Sequence, residues 1–299
     1  MESIHKTVLL NETIEGLNLK DKAIVIDGTF GGGGHSKEIC NRYKNIKIIA
    51  IDEDQSAWER AKSKFTDNTD SEISFTQGNF KNLDEILKSK NIKEVDGIIL
   101  DLGLSSDQLE NSGRGFSFMK DEELLMTMKE NPSLEDITAK DVVNNWSEEN
   151  LADIIYGYGE ERYAKRIARA ISEARAKKEI ERTFELVKII ENAVPEAYKR
   201  GKIHFATKTF QALRIAVNDE LETLKVGLEK GFNVLKKNGR MSVISFHSLE
   251  DRIVKNCFRE KKRDGVAKLI NKKPITASKE ELQINNRSRS AKLRILEKI

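Results

Sequence analysis

One stretch constrains this chain more than any other: residues 23–36, AIVIDGTFGGGGHS. Ala23, Ile24, Val25 and Ile26 predict a buried strand that Asp27 ends. Gly28, Gly31, Gly32, Gly33 and Gly34 follow within seven residues, and His35 and Ser36 open a helical pattern through Ile39 and Tyr43. Strand, glycine turn and helix form the opening of a nucleotide-binding βαβ unit. The glycines let the backbone turn tightly and let a ligand approach with no Cβ in the way. A second apolar run, residues 46–51, ends at Asp52, the position where such folds hold ribose hydroxyls. A flexible loop between two strands is the bland alternative, and the ordered arrival of strand, loop, helix, strand and acid argues against it.

The βα rhythm continues. Ala57, Ala61 and Phe65 fall four apart, a helical spacing. Residues 73–75 form a short third strand, followed by Gly78, Asn79 and Phe80. That strand end lies beside adenine in a nucleotide fold, so Phe80 is either a stacking face or a core residue. Residues 83–87 read as a helix and 95–100 as a fourth strand ending at Asp101. In a parallel sheet the loops carrying Asp27, Asp52, Phe80 and Asp101 gather on one side. Beyond Asp101 lie Gln108 and then Gly113, Arg114, Gly115, Phe116, Ser117 and Phe118. An arginine between glycines, followed by two phenylalanines, offers a phosphate binder and stacking faces for single-stranded bases. A hydrophobic hinge fits the same residues.

From about residue 119 to 207 the rhythm stops, and 133–204 reads as helical throughout. Within 160–176, Tyr163, Ile167, Ala170, Ile171 and Ala174 share one face, while Arg162, Lys165, Arg166 and Arg169 share another. That pattern suits a helix that packs on one side and meets phosphates on the other; a solvated surface face is the alternative. Thr183 is expected to cap a helix over 184–194, which Pro195 stops. Residues 208–236 predict one long helix, with Gln211, Arg214 and Asn218 on one stripe and Asn238-Gly239 as its C-cap. Residues 241–246 are a fifth strand with His247 and Ser248 at its ligand edge, and 249–258 a helix. Two last strands, 268–270 and 291–296, antiparallel or at the edge, flank a basic loop with Arg287 and Arg289. The sheet thus begins before the helical block and resumes after it. The expected domains are 1–112 with 205–299, and an inserted 113–204.

Charge is uneven. The net +3 resolves into +9 over residues 251–299, +6 over 160–214 and −12 elsewhere. Two basic segments on an acidic body point to a polyanionic partner, or to solvated helix faces and a basic tail. Cys40 and Cys257 lie far apart, which argues against a disulfide scaffold and fits a reducing compartment. No apolar run approaches the roughly 18 residues of a membrane span. Residues 1–12 lack a signal-peptide design, so a cytoplasmic protein is expected. No Cys/His spacing suggests zinc, and no metal is expected. A nicotinamide cofactor prefers G-x-G-x-x-G; the nearest match, Gly31, Gly33 and Ser36, is imperfect. S-adenosylmethionine has no pyrophosphate to cradle; Asp27 can meet its amino-acid moiety and Asp52 its ribose.

The chain resembles the RsmH/MraW family, bacterial 16S ribosomal RNA (cytosine-N4)-methyltransferases, over almost its whole length. The resemblance rests on His5, Val8, Leu9, Leu10 and Glu12, on DGTFGGGGHS (27–36), and on Asp52 and Asp54. It continues in DGIILDLGLSSDQL (96–109), RGFSF (114–118), YGEERYAKRIARAI (158–171), TFQALRIAVNDEL (209–221), GRMSVISFHSLEDRIVK (239–255) and NRSRSAKLR (286–294). It implies an α/β fold of the Rossmann-like class I methyltransferase type. Such a fold has a seven-stranded, mostly parallel sheet and here an inserted all-helical RNA-recognition domain. It also implies S-adenosyl-L-methionine contacts at Gly33, Gly34, His35, Asp52, Phe80, Asp101 and Gln108. The implied target is a cytidine in the decoding region of the small-subunit RNA. The partner would then be 16S rRNA or the small ribosomal subunit, with monomer and homodimer both open. Two departures stand out. The family's Gly-Pro turn after RGFSFM is absent, with Leu125 and Thr127 in place of an acid and an arginine. Lys208 replaces an arginine, keeping charge but losing the bidentate fork.

Cytosine N4 is a poor nucleophile because its lone pair is delocalised into the ring. An enzyme must hold it about 3–3.5 Å from the methyl carbon and can turn the lone pair by accepting the amino protons. Asp101, or a backbone carbonyl of residues 102–105, is the candidate acceptor from N4, with Phe116 or Phe118 stacking the base; service to the cofactor alone is the alternative role of Asp101. The RNA-contacting candidates are Arg114, Phe116, Phe118, Arg162, Lys165, Arg166, Arg169, Lys208, Arg214, Arg287 and Arg289. A nicotinamide oxidoreductase and a non-catalytic RNA-binding assembly factor are the rival functions.

Overall fold

A computed structural model describes residues 6–66, 70–133 and 135–299; His5 of the N-terminal motif lies outside them. In chain order the first elements are α1 (Leu10–Leu17), β1 (Ile24–Asp27), α2 (Gly34–Arg42), β2 (Lys47–Asp52) and α3 (Gln55–Ala61). Then come β3 (Glu72–Gln77), α4 (Leu83–Ser89), β4 (Val95–Asp101) and α5 (Ser106–Glu110). The middle of the chain holds α6 (Ala139–Asn145), α7 (Glu148–Gly157), α8 (Ala164–Arg175), α9 (Thr183–Ala193), α10 (Glu196–Lys199) and α11 (Thr207–Asn218). The last elements are α12 (Glu220–Val234), β5 (Leu235–Ser245), α13 (Ser248–Arg263), β6 (Ala267–Leu269), α14 (Lys279–Ile284) and β7 (Lys292–Lys298). The chain divides into two compact units, Met1–Gly103 with Leu221–Ile299, and Leu104–Glu220.

The first unit is a seven-stranded sheet in the order β3-β2-β1-β4-β5-β7-β6. The first five strands pair in parallel, and β7 and β6 close the edge antiparallel. The two final strands are antiparallel as their late, edge position suggested. A parallel sheet is covered on both faces, so its strands are apolar at nearly every position. In β2 successive residues alternate between two cores. Ile48 and Ala50 pack with Ile14, Leu17 and Ile39 of α1 and α2. Ile49 and Ile51 pack with Leu83, Leu87, Leu224, Leu228, Phe232 and Val254 of α4, α12 and α13. Val8 and Leu9 rest against Ile244, Leu293 and Ile295, so these N-terminal apolar residues lie on the sheet. An aromatic group of Phe30, Trp58, Phe65 and Phe75 backs the glycine turn, with Trp58 and Phe75 stacked at 5.7 Å.

The stretch read as one helix over 208–236 is two helices. Asp219 adopts φ 47°, caps α11 and breaks the run; Asn218 secures the break by donating to the Met126 and Arg214 carbonyls, each at 2.8 Å. Asn and Asp tolerate this left-handed conformation better than other side chains. Asn238-Gly239 is likewise not a cap but a bulge inside β5. Val95 pairs with Leu235 while Gly97 pairs with Arg240, and Asn238 takes φ 65° to absorb the extra residues.

The second unit has its own core, built from Leu151 and Ile155 of α7, Ile167 and Ile171 of α8, Leu186 and Ile190 of α9, and Phe210 and Leu213 of α11. Trp146 packs against it, partly buried. The expected uninterrupted helicity of 133–204 is broken at Trp146-Ser147, over 158–163 and over 176–182. Thr183 is the first helical residue of α9 rather than its cap. Its hydroxyl donates to the Lys120 carbonyl and accepts from the Glu122 N–H at 3.0 Å, so it ties down the segment ahead of Leu124 and Met126. Those two side chains are buried in the core. The unit is wider than the expected 113–204 because Leu104 and Leu109 on one side and α11 on the other bury apolar side chains in the same core.

Gly115 has φ 74°, and a Cβ there would lie 2.2 Å from the Glu123 carbonyl oxygen. Gly115→Ala is therefore expected to destabilise the second unit by about 2–4 kcal/mol. The urea midpoint followed by Trp146 fluorescence, with Trp58→Phe as background, measures it; a shift equal to that of an exposed Gly→Ala change would disprove the contact.

Candidate functional site

Three neighbouring strands end in carboxyls, and the parallel pairing puts those ends on one edge. Asp27 ends β1 and is buried. It accepts from the Ser36 hydroxyl at 2.6 Å, and burial pushes its carboxyl up to about 6. Asp52 ends β2. Its two oxygens accept from the N–H groups of Gly31 at 2.7 Å and Asp54 at 2.9 Å, which fastens the glycine turn to the second strand. Burial raises it to about 6 as well, against those hydrogen bonds. Asp101 ends β4 and is pushed up to about 8, first by burial and then by the charges of Asp27 and Glu250. Its backbone N–H donates to the Thr29 hydroxyl at 2.6 Å, and its Oδ1 is buried with no hydrogen-bond partner among the described residues. Some side-chain surface remains on Asp101, about 23%.

The remaining expected cofactor residues of this unit lie around that row. Gly33 sits at φ 70° as the residue before α2, where a Cβ would meet Phe30 Cζ at 2.8 Å; only glycine serves there. Gly34 is the first residue of α2. His35 is buried, with Nδ1 3.9 Å from Asp101 Oδ2. The half-buried Phe80 ring lies on Gly227, where a Cβ would come within 2.4 Å of it. A row of desolvated carboxyls repels a diphosphate and suits a ligand that brings positive charge. That is the structural case against a dinucleotide at this edge.

The second unit holds the other expected residues. Gln108 is buried and returns its Oε1 to the Ser105 N–H at 2.9 Å, as part of a capping box on α5. Arg114 and Phe116 are not the exposed phosphate binder and stacking face expected of them. Arg114 is 7% exposed and donates to the Met128 carbonyl at 2.8 Å, and Phe116 is 6% exposed within the core. Both point inward because Gly113 and Gly115, at positive φ, fold the loop back on the unit. Phe118 stacks on His204, 4.6 Å between centroids and 7° from parallel. Arg162, Lys165, Arg166 and Arg169 are exposed, as a basic face requires. Lys165, Arg166 and Arg169 line a groove of about 770 Å³ together with Glu148, Glu149, Asp153 and Glu173. Arg162 lies over the rings of Tyr163 and Tyr198, at 4.8 and 5.1 Å. Lys208 donates to the Glu160 carbonyl at 2.7 Å, and Arg214 makes a two-pronged pair with Glu220 at 2.9 Å. In the first unit Arg287 and Arg289 sit on a short 3₁₀ turn, with Arg289 exposed.

The MraW methylase family matches residues 2–299. The chain belongs to that family. Within reach of it are curated relatives called ribosomal RNA small subunit methyltransferase H. One from Clostridium botulinum is 47% identical over all of both chains, and one from Finegoldia magna is 45% identical over all of both chains. Among solved structures, an rRNA methylase from Streptococcus thermophilus aligns over 98% of each chain at 13% identity with a TM-score of 0.47, a remote likeness that carries no weight. In this member of the family the sheet is the Rossmann-like arrangement expected from the opening βαβ unit.

Four supporting residues carried no site role in the sequence reading: Thr29, Ser36, Asp54 and Glu250. Asp54 is buried and caps α3 by accepting from Ser56 N–H at 3.0 Å. Its signal was available, an Asp two residues before a Ser at a helix start. Glu250 is buried and accepts from the N–H groups of Phe246 at 2.9 Å and His247 at 3.3 Å; its spacing of three from His247 was the visible sign.

Asp27, Asp52 and Asp101 hold protons in the folded chain that the unfolded chain has already shed. Their contribution to stability therefore falls as pH rises from about 4 to about 8, and is level above that. Asp101→Asn should remove the part of the fall between about pH 6 and 8. Denaturant midpoints of both proteins across that range measure it; parallel profiles would disprove the raised Asp101 carboxyl.

Proposed function

We propose that this protein transfers the methyl group of S-adenosyl-L-methionine to N4 of a cytidine in the decoding region of 16S rRNA, in the cytoplasm. The observation that carries the reading is the row Asp52, Asp27 and Asp101 beside the glycine turn, in a chain of the MraW methylase family. When bound, S-adenosylmethionine supplies an electrophilic methyl group on a sulfonium, and its positive charges suit carboxyls that burial has made reluctant to ionise. Asp52, already ordered by Gly31 and Asp54, holds the ribose hydroxyls. Asp27 and the N-terminal turn of α2, through Gly33, Gly34 and His35, hold the amino-acid end. Phe80 gives the adenine an apolar face. Gln108, whose Oε1 is engaged by Ser105, contributes through its amide nitrogen.

Asp101 Oδ1 is the acceptor for the N4 amino group. Accepting a hydrogen bond from N4 would turn the nitrogen lone pair out of the ring system and toward the methyl carbon; as the N–C bond forms the S–C bond would break, S-adenosylhomocysteine would leave and one N4 proton would be lost. The base must leave its stack to reach a buried carboxyl. The helical unit is the RNA-recognition part. Its exposed Arg162, Lys165, Arg166 and Arg169 meet phosphates, with Lys208 and Arg214 at its other helix, while Arg287 and Arg289 serve from the sheet unit. Phe118 supplies the stacking face.

The test is methylation of isolated small ribosomal subunits with labelled cofactor, followed by nucleoside analysis. N4-methylcytidine is the expected product; label in any other nucleoside, or none, rejects the reading. Asp101→Asn should lower turnover at saturating cofactor by 10² or more, and full turnover would remove Asp101 from catalysis. Replacing Arg162, Lys165, Arg166 and Arg169 together by Ser should weaken RNA binding and reduce its salt dependence by up to four phosphate contacts. An unchanged slope of log affinity against log salt would show that this face does not meet RNA.

A further inference from the structure

We infer that His247 reads the Watson–Crick edge of the target cytosine, donating from Nε2 to ring nitrogen N3 while Asp101 accepts from the N4 amino group. The inference rests on the proposed cytidine target and adds a residue that decides which base is accepted. His247 is the residue before α13, at the carboxyl end of β5. Strands β4 and β5 are parallel neighbours, with Asp101 opposite Ile244 and the Leu102 N–H donating to the Ile244 carbonyl at 3.0 Å. His247 and Asp101 therefore stand at the same edge of the sheet.

The ring's hydrogen bonds assign its tautomer. Nδ1 accepts from the Glu250 N–H at 3.5 Å as the helix cap. In a neutral imidazole the proton then sits on Nε2, which is a donor. That Nε2 is buried and has no hydrogen-bond partner among the described residues. Glu250 Oε1 lies 3.2 Å from it, an ion-pair neighbour for a protonated ring, without completing a hydrogen bond; the other Glu250 oxygen is held by the backbone of Phe246 and His247. Asp101 Oδ1 is in the same state, buried and unpartnered. Buried polar groups are nearly always paired, so an unpaired donor and an unpaired acceptor on one edge ask for a ligand offering the reverse.

Cytosine offers it. Its Watson–Crick edge places the N4–H donor next to the N3 acceptor. Uracil presents O4 and N3–H, which would set a donor against the His247 Nε2–H. The pair thus selects cytosine by favourable contacts and disfavours uracil by leaving the buried His247 donor unpaired.

The experiment uses the full chain saturated with S-adenosylhomocysteine, so that nothing turns over, and compares binding of cytidine, 3-deazacytidine and uridine. 3-Deazacytidine keeps the amino group and replaces N3 by C–H. The chain has four histidines, so spectra of ¹⁵N-histidine-labelled protein report on His247, assigned by its loss in His247→Ser. Serine retains an oxygen able to cap α13 but places no donor where Nε2 stood. Wild type should bind cytidine about tenfold more tightly than 3-deazacytidine, with the His247 Nε2 signal moving only for cytidine. His247→Ser, checked for an unchanged melting temperature, should bring that ratio near one. A ratio near one in wild type, or an undiminished ratio in His247→Ser, overturns the role of His247. N4-methylcytidine formed in small subunits alongside such a result leaves the parent reading standing, whereas no N4-methylcytidine from wild type overturns both. If His247→Ser melts early, His247→Asp is the second cap-preserving variant and is read the same way.

Discussion

Asp52, Asp27 and Asp101 end three strands that lie side by side, and each holds its carboxyl largely out of water. Charges of one sign cannot be gathered this way in a low-dielectric edge without a compensating cation or bound protons. Backbone N–H groups of Gly31 and Asp54, and the hydroxyl of Ser36, offset part of the cost for Asp52 and Asp27. Among the described residues nothing comparable reaches Asp101 Oδ1, and burial, then the charges of Asp27 and Glu250, push its carboxyl the highest of the three. The glycine turn, the first turn of α2 and the start of α3 are all arranged by bonds to these carboxyls. The same tension makes the edge receptive to a ligand that arrives with positive charge and hydrogen to donate.

Much of the sheet unit was legible in the chain because local and tertiary preferences agree there. Apolar runs that end in an acid are what buried parallel strands look like, and alternation within β2 serves both cores at once. The glycine pattern could be read directly because a position such as Gly33 admits no other residue. Legibility failed where a local signal had two possible tertiary uses. Asn238-Gly239 is a valid helix end, yet here it fills a bulge because β5 must regain register with β4. Residues 208–236 have an unbroken apolar stripe, and only the side-chain bonds of Asn218 to a distant carbonyl show why the chain breaks at Asp219.

The site residues divide the same way. Asp27, Asp52 and Asp101 are strand ends, so a correct strand reading already places them together. The basic face of α8 follows from helical period alone. Arg114 and Phe116 could not be placed so, because a glycine-rich loop leaves the direction of its side chains to whatever core lies nearby. Arg214 has a helical position that the sequence conveys, but its carboxylate partner Glu220 lies beyond the break at Asp219. The proton position on His247 depends on a bond to its own helix, which the spacing of three to Glu250 hints at but does not fix.

The chain has two tryptophans, and each compact unit holds one. Trp58 stands in the aromatic group behind the glycine turn, stacked on Phe75; Trp146 packs against the helical core. Indole emission is quenched or shifted by changes in its immediate surroundings, so the protein contains a separate optical label for each half. Single Trp→Phe variants would turn an ordinary fluorescence titration into a spatially resolved one. A small-molecule ligand at the strand ends and a polyanion on the helices could then be followed independently, in one cuvette, without any added dye.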